Sequence, residues 1–320
     1  MESTDATAKH WDEYVTKHMV AGADGNRAEW MAHPVVQRYR RTMSGAVDEA
    51  DWLVSGYLQG RPIERAIGIG AGHSVFELGL LGAGAVEAFD LYDLSAKALE
   101  LAEQSASTLG VSDRIATHVT DINTVDLEPK RYGLATFYSS LHHVVDLDGV
   151  VSRLAHALRD DGVLFAAEYI GPNRFEFGPA ELELARAFFD ALDPKLRYTW
   201  SPEPASWGQR LRGRPSDPVR PSLPVPDPAE IAAADPTEAV HSGEIVETLE
   251  RYFGGVHVAP MGGALAYPLW AGLNHDYIFE DRDGVRFVET LVDLDQALTE
   301  SGRLPTYFAL IAASSPLRAP

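Results

Sequence analysis

Three glycines at alternate positions, Gly68, Gly70 and Gly72, stand in the run Ile67-Gly68-Ile69-Gly70-Ala71-Gly72-His73-Ser74, where an apolar stretch gives way to a helical one. Residues lacking a β-carbon let the backbone approach a bound molecule closely, and the following helix offers free amides and the positive end of its dipole. A structural turn or a dinucleotide site uses similar residues, so the glycines become specific only together with the acidic residues downstream of them. Asp93 lies 21 residues beyond Gly72, at the end of a second apolar stretch, where a carboxylate can accept both hydroxyls of a ribose. Asp93 or Ser95, in Asp93-Leu94-Ser95, also suits the cap of the next helix, worth about 1 kcal/mol, and the two roles are compatible. In Thr120-Asp121-Ile122-Asn123, Asp121 can accept from an adenine amino group while Ile122 packs on the ring; turn-capping is the other reading of Asp121. The run Tyr138-Ser139-Ser140-Leu141-His142-His143-Val144 places polar side chains at the C-terminal edge of a sheet, where open α/β folds bind ligands.

These residues need a frame to hold them. From Arg65 to about Glu168, short apolar strands alternate with helical segments, the pattern of βαβ units on a parallel sheet. The predicted strands are Arg65–Ile69, Ala85–Leu91, Ile115–Val119, Gly133–Tyr138 and Gly162–Glu168. The predicted helices between them are Val75–Leu81, Ala96–Leu109 and Leu147–Leu158, with apolar residues at three- and four-residue spacing. The fold class is therefore α/β, a doubly wound, mostly parallel sheet. Residues 1–60, with Trp11, Tyr14, Trp30, Tyr39 and Trp52 at irregular helical spacing, read as a helical cap on a core of residues 61–175. Residues 176–240 read as a helical and proline-rich insertion in which 200–236 form a loop or lid rather than a regular element, since proline fixes the backbone and removes a donor. Residues 241–320 add helices at Gly243–Phe253 and Arg286–Ser301 and strands at Gly255–Pro260 and Tyr307–Ala312, completing the sheet.

The chain has 320 residues, 45% of them hydrophobic, enough for a full core. Its 27 Lys and Arg against 47 Asp and Glu leave a net charge of -20, which disfavours nucleic acid and anionic membranes as partners. With no cysteine, disulfides and thiolate metal sites are ruled out, which fits a reducing cytoplasm. The opening Met1-Glu2-Ser3-Thr4-Asp5 lacks a secretory pattern, and no apolar run reaches the roughly 20 residues of a membrane span, so a soluble, cytoplasmic protein is expected. Self-association into a homo-oligomer stays open.

The ordered set of glycine turn, acidic second strand, Asp after the third strand and Ser-Leu-His-His-Val after the fourth resembles the class I, Rossmann-like S-adenosylmethionine-dependent methyltransferases over about residues 65 to 168. The resemblance implies S-adenosylmethionine as cofactor. Gly68, Gly70 and Gly72 would approach its methionine part, Asp93 its ribose and Asp121, with Ile122 on the ring, its adenine; Leu94, Tyr138 and His142 join them as cofactor-pocket residues. One position departs: two before the first glycine, where this class often has an acid, stands Ala66. The run Glu168-Tyr169-Ile170-Gly171-Pro172-Asn173-Arg174-Phe175, with Trp30…His33-Pro34 upstream and His241-Ser242-Gly243-Glu244-Ile245 downstream, is similar to a large bacterial subgroup that acts on small molecules.

Methyl transfer is an in-line displacement, so the protein chiefly positions the nucleophile and removes its proton where needed. If the His-His segment is extended, His142 and His143 point opposite ways and one faces the cofactor; His143 is the candidate base, a buried structural histidine the alternative. Glu168 is a second candidate, a carboxylate facing the cleft whose pKa burial would raise; it could instead bind the following Gly-Pro turn or pair with Arg174. Tyr169 could present its ring face to the sulfonium, or pack in the core. The acceptor pocket draws on Trp30, His33, Tyr39, Arg174, Trp207, His241, Tyr267, Trp270 and His275. Neither His275-Asp276-Tyr277 nor His241…Glu244 makes a convincing ligand set, so no metal is expected. The expected function is O-, N- or C-methylation of a small molecule in secondary metabolism. Alternatives are another sulfonium reaction, such as intramolecular cyclisation releasing methylthioadenosine, an NAD(P)-linked oxidoreductase, whose fingerprint would be GxGxxG rather than GxGxG, and a binding module that has lost catalysis.

Overall fold

The computed structural model describes residues 2–16, 30–197 and 219–317. Its centre is a seven-stranded sheet: β1 (Ala66–Ile69), β2 (Phe89–Asp93), β3 (Ile115–Val119), β4 (Tyr132–Tyr138), β5 (Leu158–Tyr169), β6 (Phe253–Pro260) and β7 (Phe308–Pro316). Their order across the sheet is β3-β2-β1-β4-β5-β7-β6. The first five are parallel, while β7 runs antiparallel between β5 and β6. β1 and all but the last residue of β4 are buried, as expected of parallel strands covered on both faces, whereas edge strand β3 is half-buried.

Helices α1 (Glu2–Tyr14), α2 (Pro34–Ser44) and α3 (Glu49–Gly56) precede the sheet. Next come α4 (Val75–Gly82), α5 (Ala96–Leu109) and α6 (Leu147–Ala157). α5 begins and ends where its sequence says, because Ser95 Oγ accepts from the Ala98 amide at one end and Gly110, at φ 72°, turns the chain at the other. The remaining helices are α7 (Pro179–Asp190), α8 (Pro228–Ala234), α9 (Ile245–Tyr252), α10 (Ala266–Trp270), α11 (His275–Glu280) and α12 (Arg282–Glu300).

Two expectations need correction. The second strand begins at Phe89 rather than Ala85, because Gly84 turns at φ 72° and Val86 makes only a single bridge, to Ile63. The proline-rich stretch also contains a regular element, α8: Pro228 stands in its first turn, where its missing N–H costs nothing, and Asp227 accepts from the Ala229 amide. Residues 198–218 of that stretch, Trp207 included, lie outside the described residues.

The chain reverses its direction of travel across the sheet between β1 and β4, so the crevice beyond their C-terminal ends is the place where an open α/β sheet takes a ligand. Ser140 Oγ donates to the Ile69 carbonyl at 2.7 Å and ties those two ends together.

Candidate active site

A cleft of about 980 Å³ opens at this edge of the sheet. Gly70 and Gly72 adopt φ 58° and 53°, a region costly for other residues. A β-carbon at Gly70 would sit 2.6 Å from Ser140 Cβ, whereas one at Gly72 would meet nothing within 4 Å, so the backbone at Gly72 faces open space. Gly68 does not line the cleft; Glu77 Cγ and Leu91 Cδ2 lie 3.1 Å from where its β-carbon would be, so its small size serves packing. Leu94, Asp121, Ile122, Tyr138 and His142 all line the cleft.

Asp93 holds the entrance together. Its Oδ2 accepts from the Gly72 amide at 2.8 Å and its Oδ1 from the Ser95 amide at 2.7 Å, so capping and loop-bracing are both realised while the residue faces the cleft. Burial pushes its carboxyl pKa up, partly offset by those two amides. Asp121 Oδ1 accepts from the Asn123 amide at 2.9 Å, the turn-capping arrangement. From α1, Asp12 Oδ1 accepts from Ser95 Oγ at 2.5 Å and from the Lys97 amide at 3.2 Å, and the Trp11 ring meets His143 edge-on at 4.9 Å. That helix therefore covers one side of the cleft.

The His-His segment is not extended. Leu141–His143 form a single 3-10 turn, which brings both rings to the same wall with centroids 4.2 Å apart. Glu168 explains the turn and is not the cleft-facing carboxylate that its position suggests. It is 1% exposed; Oε1 accepts from the Ser140 and Leu141 amides, each at 2.6 Å, and Oε2 lies 2.5 Å from His142 Nδ1. Burial opposes charge on His142, but the Glu168 carboxylate overrides it and moves the His142 pKa up. Burial, reinforced by His142, pushes His143 well below the usual imidazole range, so that His143 is neutral. His143 Nδ1 meets Thr237 Oγ1 at 3.2 Å.

Tyr169 does face the cleft, and with Trp30, Phe175, Tyr267 and Phe308 it forms an aromatic wall; Phe308 lies 4.9 to 5.4 Å, centroid to centroid, from Trp30, Tyr267 and Tyr169. Other expected acceptor contacts go elsewhere. His33 caps α2 and bonds the Ile278 carbonyl; Tyr39 bonds the buried Asp295; Trp270 packs against His33 and Phe279. Arg174 grips the carbonyls of Asp235, Pro236 and Glu238 instead of Glu168, and His241 pairs with Glu244 at the surface. His275 bonds the Trp270 carbonyl.

Sequence reasoning missed Glu77, Asp235 and Glu238. Glu77 is buried in α4 and lines the cleft; Thr136 Oγ1 donates to its Oε1 at 2.9 Å, and burial lifts its pKa to about 7. Its signal was present, an acid within the apolar run Val75-Phe76-Glu77-Leu78. Asp235 and Glu238 carry no comparable local signal. Among the described lining residues there are seven Asp and Glu (Asp48, Glu49, Glu77, Asp93, Asp121, Asp235 and Glu238) and no Lys or Arg.

Residues 66–166 match the family described as Methyltransferase domain. No curated protein sequence matches the chain. Among solved structures, a geranyl diphosphate C-methyltransferase of Streptomyces coelicolor, in complex with Mg2+, geranyl diphosphate and S-adenosylhomocysteine, aligns with a TM-score of 0.52 at 13% identity over 98% of this chain and 99% of its own. A phosphoethanolamine N-methyltransferase of Haemonchus contortus, in complex with phosphomonomethylethanolamine and S-adenosylhomocysteine, aligns with a TM-score of 0.50 at 12% identity. This chain, 96% of it aligned, spans 60% of that protein's length. At such identities the likeness is one of fold. No helix among the described residues is long and apolar enough to cross a membrane.

Proposed function

We propose that the chain, a class I S-adenosylmethionine-dependent methyltransferase by domain and fold, methylates a neutral or cationic small molecule with a large apolar body. One observation carries the reading: a single cleft joins the glycine turn and Asp93 to an aromatic wall, with seven acids and no Lys or Arg among its described lining. Such a surface repels phosphorylated acceptors of the kind bound by the two structural neighbours, and it favours a cationic cofactor and an uncharged or amine-bearing acceptor.

The residues fit S-adenosylmethionine part by part. The open backbone at Gly72 and the tight approach at Gly70 suit the methionine portion, Asp93 beside Leu94 the ribose, and Asp121 with Ile122 the adenine. Glu77, buried and facing the cleft, offers a carboxylate to a positively charged group where Ala66 offers none. When bound, the cofactor supplies an electrophilic methyl group on a sulfonium. Trp30, Tyr169 and Tyr267, with Phe175 and Phe308, hold the acceptor's apolar body and exclude water, and Tyr138 and His142 wall the junction. His143, neutral and within reach of Thr237, takes the acceptor's proton where there is one to lose.

The deciding assay incubates the protein with labelled S-adenosylmethionine and paired acceptors, each neutral or amine-bearing compound beside its phosphorylated analogue. S-adenosylhomocysteine together with a methylated neutral or cationic acceptor is the expected result. Methylthioadenosine as product would replace methyl transfer with another sulfonium reaction, and preference for the phosphorylated member of each pair would overturn the acceptor class. Binding is checked apart from turnover: calorimetry should give a micromolar-scale dissociation constant for the cofactor, about -8 kcal/mol, and no heat with NAD. Asp93→Ala should weaken that binding roughly 10- to 100-fold, through the loss of a charged acceptor to the ribose and of the brace on Gly72. Unchanged affinity would reduce Asp93 to a helix cap.

A further inference from the structure

The 3-10 turn after β4 and the loop at residues 235–238 bring two imidazoles and a carboxylate to one wall of the cleft. His142 Nε2 stands 3.8 Å from Glu238 Oε1, and His143 Nε2 stands 3.8 Å from Glu238 Oε2. Both separations are too long for hydrogen bonds. The other nitrogen of each ring is already committed. His142 Nδ1 lies 2.5 Å from Glu168 Oε2, and since Glu168 Oε1 accepts two backbone amides the carboxylate acts as acceptor throughout, which places the ring hydrogen on Nδ1. Thr237 spends its hydroxyl hydrogen on Asp235 Oδ1 at 2.7 Å, so it accepts from His143 Nδ1, and the hydrogen of that ring is on Nδ1 as well. With the Nδ1 positions so committed, His143 turns an Nε2 lone pair toward the Glu238 carboxylate, and His142 turns its Nε2 toward the same carboxylate and would present a lone pair there once an ion displaces any proton it holds.

We propose that His142, His143 and Glu238 bind one divalent transition-metal ion of the zinc, cobalt or iron type, with a coordination position left open toward the cleft. Two bonds of about 2.1 Å reach at most about 4.2 Å end to end, so each 3.8 Å gap accommodates an ion between one imidazole and one oxygen of the carboxylate; with one ligand atom from each of the three residues within 4.8 Å of the others, a small inward shift of the side chains brings all three onto a single ion. Two imidazoles and one carboxylate suit such an ion, and three protein ligands leave a site for water or a reactant. The outer partners also fit. A ligating histidine commonly donates its second N–H to a carboxylate or another acceptor, as His142 does to Glu168 and His143 to Thr237. Asp235 Oδ2, buried without a hydrogen-bond partner among the described residues and 3.6 Å from His143 Nδ1, adds negative charge behind the ligands. Arg174 fixes the ligand-bearing loop through its carbonyls at 235, 236 and 238. The set differs from the pairs His241…Glu244 and His275-Asp276-Tyr277, and no local pattern announces it, because Glu238 is distant in sequence from the histidines. Within the reading of the cleft as an acceptor pocket, the open position admits an oxygen of the acceptor, and the ion in place of His143 would then lower that oxygen's pKa.

The test uses the full chain stripped with a chelator and titrated with Co2+ alone, without cofactor or acceptor, followed by displacement with Zn2+. We expect one equivalent bound with a visible absorption band that Zn2+ abolishes, and a loss of affinity of at least tenfold in both Glu238→Gln and His143→Gln, circular dichroism confirming that the variants fold. No stoichiometric binding overturns the proposal, as does binding that both variants leave unchanged, which would place the ion at another of the histidines. Retention of a protonated His142 in proton NMR at saturating Co2+ would also overturn it, by showing that a proton fills the gap. Cofactor calorimetry on the same preparation is a separate measurement, so failure of the metal site and failure of the methyl-transfer reading give different results.

Discussion

Glu168→Ala is expected to lower the stability of the protein by about 3–5 kcal/mol, a drop of roughly 4–8 °C in melting temperature for a chain of this size. The Glu168 carboxylate is completely enclosed and bonded to two amides and an imidazole; removing it leaves the Ser140 and Leu141 N–H groups and the His142 ring without partners in the interior. Because the pKa of His142 is raised by this pairing, the stabilisation it contributes is full below about pH 6.5, the unfolded value, and is lost as the pH rises through the higher folded one. The deficit of the variant should therefore be largest in mildly acidic solution. His143→Ala supplies the contrast. It should lower turnover by about 10²–10⁴-fold at a much smaller cost in stability, because His143 ties to Thr237 and to no backbone amide that would be orphaned. Thermal melts and turnover for both variants decide the matter: a Glu168→Ala protein as stable as the wild type but slow would restore Glu168 as a base.

The second expected result concerns Glu77. Its folded pKa of about 7 lies above the unfolded value near 4.3, so its neutral form is favoured on folding; that stability is complete below about pH 4.3 and disappears as the pH rises through 7. Above that point the wild type carries a buried charge costing about 3 kcal/mol, which Glu77→Gln removes while keeping an acceptor for Thr136. The variant should therefore match the wild type near pH 4 and become more stable by about 3 kcal/mol near pH 8. The same variant should bind S-adenosylmethionine more weakly, because the positive methionine end loses its carboxylate. A stability difference that stays flat from pH 4 to pH 8 would show that Glu77 does not titrate in the interior.

The central sheet was readable because parallel strands covered on both faces appear as unbroken apolar runs, and because Ser95 and Gly110 mark both ends of α5. That Gly70, Gly72, Asp93 and Asp121 share one cleft was readable for a related reason: the fold places the ends of successive strands at one edge, so their order in sequence maps onto one crevice. The acceptor side was not. His33 bonds a carbonyl 245 residues away and Tyr39 a carboxylate 256 residues away, contacts that no local pattern announces, and both residues were thereby drawn from the cleft into the core. The orientation of the two histidines turned on a three-residue turn braced by Glu168 from the neighbouring strand, and a period-two pattern cannot foresee it.

The position of β7 has a bearing on how the molecule is made. It lies between β5 and β6 although it is synthesised after both, so β6 has no neighbour in the sheet until residues 308–316 have left the ribosome. Until then the growing chain presents, besides the edges that the finished sheet keeps at β3 and β6, two margins that β7 later covers: that of β5, rich in buried apolar residues, and the facing one of β6. Each is a template for pairing with another nascent chain. Filling the slot with one strand closes both margins at once and seats Phe308 against Tyr169, so the aromatic wall of the pocket is completed by the same late event that protects the sheet from aggregation.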